Sequence, residues 1–136
     1  MSKTPVDFKT YKLLSKDQVQ KMSLKQRLEL SPAEKFDIVS GYWNFPTVLD
    51  QRQKIKPDAP QWFGHCTGWS SASIHFREPR PVVIKSVDGI EVPFGASDVK
   101  ALLSFYMHHY VPFKSYIGQQ CDKKLESAGA SSATLT

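Results

Sequence analysis

The chain has 136 residues, the size of one ordinary domain, and 40% of them are hydrophobic against 23% charged, which sets it outside the disordered and fibrous classes. Its net charge of +5 is concentrated at the start, where residues 1–30 carry seven Lys or Arg against three acidic residues, +4 of the total. Those cations are spaced as on a solvated helix face rather than clustered, so a nucleic-acid partner is not expected. No apolar signal-peptide core and no stretch of transmembrane length is visible, so no membrane partner is expected either. A signal removed earlier would leave secretion as open as the cytosol, and the compartment stays undetermined. Cys66 and Cys121 match no zinc spacing, and neither His65 nor His75 completes one. With no Asp/Asn-rich calcium loop in view, no metal or cofactor requirement is expected.

Residues 1–30 read as a basic arm packed on the core. Ser15 caps one short helix there, Gln18 completes the capping box, and Val19, Met22, Gln26 and Leu28 share a face. Ser31-Pro32-Ala33-Glu34 is a stronger start: the serine accepts from the first N–H groups, the proline pre-sets φ, and the glutamate reaches back. Phe36, Val39, Tyr42 and Trp43 then recur at helical steps as an inward stripe, and Pro46 stops the helix. Residues 50–60 read as a polar connection.

That connection delivers the chain to Pro60-Gln61-Trp62-Phe63-Gly64-His65-Cys66-Thr67-Gly68-Trp69, where Gly64 permits a sharp turn before a cysteine that opens a helix. Unpaired N–H groups and the positive end of the dipole favour the thiolate, which is the nucleophilic form. The competing reading is a buried structural cysteine. Gln61, five residues upstream, is a candidate oxyanion donor. Trp62 and Trp69 either wall a substrate tunnel or pack in the core. The small residues Ser70 to Ser73 allow this helix to lie close against a sheet.

Farther on, Asp88-Gly89 between β-branched runs predicts a hairpin, its second strand at an edge because Pro93 cannot donate to a ladder. Ser97 and Asp98 then start a helix whose apolar face is Val99, Leu102, Leu103, Tyr106, Met107 and Tyr110. His108 falls opposite that face and is expected in solvent, whereas His109 lies at its edge and stays open as a base. His75 is too far along the cysteine helix to reach the thiol. Residues 111–121 read as a loop and short strand, and 123–136 as a flexible tail and processing region.

Several of these segments resemble the transglutaminase-elicitor family, first described in plant-pathogenic oomycetes and represented in bacteria. They are Ser31-Pro32-Ala33-Glu34-Lys35-Phe36-Asp37, Trp62-Phe63-Gly64-His65-Cys66-Thr67-Gly68-Trp69, Asp88-Gly89-Ile90, Pro93-Phe94-Gly95-Ala96-Ser97-Asp98-Val99-Lys100-Ala101-Leu102-Leu103 and Ile117-Gly118-Gln119-Gln120-Cys121. The resemblance spans residues 31–122 and implies the nucleophile-bearing part of an α+β, papain-like catalytic domain. In it Cys66 opens a central helix packed on an antiparallel sheet. It implies a protein-glutamine γ-glutamyltransferase: Cys66 attacks a glutamine carboxamide, and the thioester passes to a lysine amine. In that family the catalytic His and Asp follow the Ile-Gly-x-x-Cys segment. The resemblance therefore implies a second chain, or a missing C-terminal part, that supplies both and completes the sheet. The alternatives are a cysteine protease or glutamine deamidase with the same nucleophile, and a non-enzymatic interaction module with a structural Cys66.

Overall fold

The computed structural model describes residues 12–56, 58 and 64–110. Its elements run α1 (Lys16–Lys21), α2 (Leu24–Leu28), α3 (Pro32–Ser40), α4 (Pro46–Lys54), α5 (Cys66–His75), β1 (Val82–Lys85), β2 (Glu91–Phe94) and α6 (Ala96–Tyr110). The fold class is α+β, with a small two-stranded antiparallel sheet among the described residues.

Serine-led capping boxes punctuate the first helices. Ser15, Ser23 and Ser31 each accept from the N–H three residues on, and Gln18, Gln26 and Glu34 each reach back to the serine N–H. The single helix expected after Ser15 is therefore two, because Ser23 opens its own box and spends Gln26 on the cap. Arg27 ties the pair down, donating to Val19 O at 3.1 Å, Gln20 O at 3.1 Å and Glu91 O at 2.9 Å. Val19 is fully buried in the main core with Ile38, Phe45, Val48, Val92 and Phe94, so from residue 12 the basic arm is integral to the core.

In α3 the inward face differs from the expected aromatic stripe. Phe36 and Tyr42 are exposed, while Lys35, Asp37 and Ile38 are fully buried. The helix ends at Gly41, whose φ of +74° turns the chain away, so Tyr42 and Trp43 never lie on it. Charges replace the apolar residues because each has a fixed task. Lys35 Nζ donates to Leu28 O at 2.7 Å and to Asp98 Oδ2 at 2.6 Å. Asp37 accepts from the N–H groups of Thr47 and Val48 at 3.1 and 3.2 Å, capping α4 across the gap. Phe45, the residue at the N-cap of α4, has φ +50° and offers no side-chain cap, so the carboxylate from α3 serves instead. Pro46 starts this helix rather than stopping the previous one, and half of the expected polar connection is helical.

The hairpin forms around Asp88-Gly89 as expected, with Lys85 paired to Glu91 and Val82 to Phe94. Its loop docks on the end of α3: Val87 N–H donates to Val39 O, and Asp88 accepts from Trp43 Nε1 at 2.8 Å and from Lys16 Nζ. Two residues earlier than the expected Ser97, Gly95 becomes the cap of α6; its carbonyl accepts from Val99 N–H, and Asp98 Oδ2 accepts its N–H at 2.7 Å. Among the described residues no helix is long and apolar enough to cross a membrane.

Candidate functional site

Cys66 is the first residue of α5 and is exposed. Gly64 does not make the sharp glycine-only turn expected of it: among the described residues only Gly41 and Gly89 among the glycines have positive φ, and nothing crowds the Gly64 Cα. The glycine that matters is Gly68. A Cβ there would sit 2.0 Å from Ser104 O, so α5 and α6 approach backbone to backbone. Gly68 and Ala72 are buried on one side of this contact and Ser104 and Met107 on the other. Ser104 turns its hydroxyl back to Lys100 O at 2.8 Å, which keeps the seam small and satisfied. Among the described residues Gly68 and Ala72 of α5 thus serve a helix–helix seam with α6, while Ser70 and Ser73 are exposed.

This seam corrects the placement of the histidines. The inward face of α6 is not the apolar stripe alone: Tyr106 and Tyr110 are exposed and Ser104 is buried. His108, one turn beyond Ser104, shares the α5-facing side and is half-buried rather than solvated. Its Nδ1 lies 3.0 Å from Thr67 Oγ1. The His65 ring packs edge-on against it, centroids 4.8 Å apart, and against His109 at 5.8 Å. One ring nitrogen from each of the three histidines falls within 4.8 Å of the others.

His65 is held from the opposite side. Its Nε2 faces Gln51 Oε1 of α4 at 3.3 Å, and a carbonyl oxygen only accepts, so Nε2 carries the proton. Nδ1 is buried without a hydrogen-bond partner. Burial holds the His65 pKa below the ordinary imidazole value, and the charges of His109 and Lys54 lower it further, against the opposing pull of Asp50. His65 also stands at the wall of a cavity of about 400 Å³ lined by Ala33, Val48, Ile55, Leu102 and Phe105.

Trp69 is 64% exposed and therefore not a core residue. It borders a groove of about 230 Å³ with Ala72, Phe76, Pro79 and Leu103. Gln61, Trp62 and Cys121 lie outside the described residues. The histidine cluster was missed because spacing along the chain cannot see two helix ends meet. The Gly68-x-x-x-Ala72 step was the signal, since small residues four apart mark a close helix approach. No family model, no curated protein and no solved structure matches this chain.

Proposed function

We propose that the chain is the nucleophile-bearing part of a cysteine acyltransferase of the transglutaminase type. The observation that carries the reading is Cys66, an exposed thiol at the first position of a helix, where a substrate side chain can reach it. In the reaction the thiolate attacks the γ-carbonyl of a glutamine side chain, and the carboxamide nitrogen leaves as ammonia after taking a proton. A lysine ε-amine then attacks the γ-glutamyl thioester, loses a proton, and releases the thiolate with an isopeptide bond formed. The sequence resemblance supplies the substrate class and the expectation of a papain-like core.

The proton-transferring His and its orienting Asp come, in this reading, from a companion chain. The support is uncovered apolar surface on the nucleophile's helix and on the hairpin: Ile74 is 81% exposed on α5, and Val82, Val83 and Ile84 of β1 are all exposed. In this reading Trp69, exposed at the edge of its groove, would flank the donor or acceptor chain. With water in place of the amine the same thioester gives a glutamate, so a deamidase is the nearest alternative.

Iodoacetamide labelling followed by intact mass, and incorporation of a fluorescent primary amine into a glutamine-bearing protein by native material, test the proposal. Stoichiometric labelling at Cys66, with incorporation abolished by Cys66→Ala, is the expected result. An inert Cys66 overturns any enzyme reading, and labelling with hydrolysis alone overturns the transferase.

A further inference from the structure

We propose that His65, His108 and His109 form a binding site for a divalent cation of the zinc class, independent of acyl transfer. The three rings converge from two elements that the Gly68–Ser104 approach clamps together. Their ligand nitrogens lie within 4.8 Å of one another. Tetrahedral zinc–nitrogen bonds of about 2.05 Å set ligand nitrogens about 3.3 Å apart. His109, exposed at the end of α6, is the ring that would turn to close that difference.

Two further contacts fit metal ligation. His65 donates Nε2–H to Gln51 Oε1, which fixes the tautomer that leaves Nδ1 with a lone pair, and that Nδ1 is the buried nitrogen without a partner. Outer contacts of this kind orient and strengthen metal-bound histidines. His108 is oriented likewise, through Thr67 Oγ1 at 3.0 Å from its Nδ1. An all-imidazole donor set suits Zn²⁺, Ni²⁺ or Cu²⁺ and disfavours Ca²⁺ and Mg²⁺, which take oxygen ligands. Three protein ligands leave a fourth position for water. A bound ion would join the start of α5 to the end of α6, so it stabilises the fold by binding only the folded chain.

Calorimetric titration of the 136-residue chain with Zn²⁺, and the visible spectrum with Co²⁺ as a coloured substitute, test the site. The expected result is one equivalent of Zn²⁺ per chain, a rise in Tm, and tetrahedral Co²⁺ bands. His109→Gln is the key variant because His109 is exposed at the end of α6 and glutamine keeps a side chain of similar reach. It should weaken binding by more than about tenfold, as should His108→Gln. His75→Gln should bind like the parent, since that ring lies on the exposed side of α5 and contacts Ser71 O. Cys66→Ser should also bind like the parent, which separates this site from the acyl-transfer reading. Absence of stoichiometric Zn²⁺ binding, unchanged affinity in His109→Gln with native circular dichroism, or loss of binding in Cys66→Ser overturns the proposal.

Discussion

Gly68 is a residue whose absent side chain sets the geometry of the site. Its Cα lies so close to the α6 backbone that an added Cβ would fall 2.0 Å from Ser104 O and 2.9 Å from His108 Cβ. Neither atom can yield without moving a helix. Gly68→Ala should therefore cost about 1–3 kcal/mol in urea unfolding, as overpacking does, and should shift the His65 and His108 ring signals in NMR spectra. Unchanged stability and ring shifts would show that the seam is looser than drawn. Lys35 is the opposite case, a full charge with no exposure whose ammonium is held by Asp98 Oδ2, Leu28 O and the face of the Phe94 ring. Removing one partner of such a pair leaves the other charge uncompensated and typically costs about 3–5 kcal/mol. Lys35→Met should fall in that range in urea unfolding. The double variant Lys35→Met with Asp98→Asn should lose less than the two single losses summed, because the stranded carboxylate is then gone.

Between elements, a few polar residues join what the chain separates. Lys35 and Asp98 belong to two of the segments that carry the family resemblance, and their ion pair ties α3 to the start of α6. Asp88 joins the hairpin loop to α1 through Lys16 and to the α3–α4 turn through Trp43. The Lys16 ammonium, and after it the Trp43 indole N–H, hold the Asp88 carboxyl below the ordinary aspartate value of 3.8. Between that depressed value and 3.8 the unfolded chain binds more protons than the folded one, so stability rises with pH there. The contribution is complete above the ordinary value and lost as pH falls through the folded one. The urea midpoint of the parent should thus drop more steeply below about pH 4 than that of Asp88→Asn; parallel curves would remove Asp88 from the acid response. Contacts of short range were legible in the sequence. Ser31 with Glu34, Asp88-Gly89 in the hairpin and Cys66 at a helix start each depend on neighbours a few residues away. What could not be read were choices made by distant partners. Asp37 is buried because α4 lacks a cap of its own, and His108 turns inward because Gly68 admits α6. A period of 3.6 marks an apolar stripe but does not reveal a second buried face built from Ser104 and His108.

For the whole molecule, the apolar surface left open governs how the chain meets other chains. Val82, Val83 and Ile84 are consecutive in β1 and all exposed, with Val83 at 56%. Among the described residues β1 pairs with one strand, so within them its other edge is open beside three β-branched side chains. Such an edge is a template for a further strand, whether from the companion proposed above or from a second copy. The described chain alone should therefore associate with itself as concentration rises, visible as a concentration-dependent sedimentation coefficient. Val83→Lys sets a charge on that surface, a device that blocks strand addition. Because Val83 is more than half exposed, the variant's unfolding free energy should stay within about 0.5 kcal/mol of the parent, while the association weakens. If the companion adds its strand here, the same variant should also reduce amine incorporation in native material without slowing iodoacetamide labelling of Cys66. A Val83→Lys chain that associates and transfers as the parent does would move the partner surface away from β1 to another exposed apolar side chain, of which Ile74 on α5 is the most exposed at 81%.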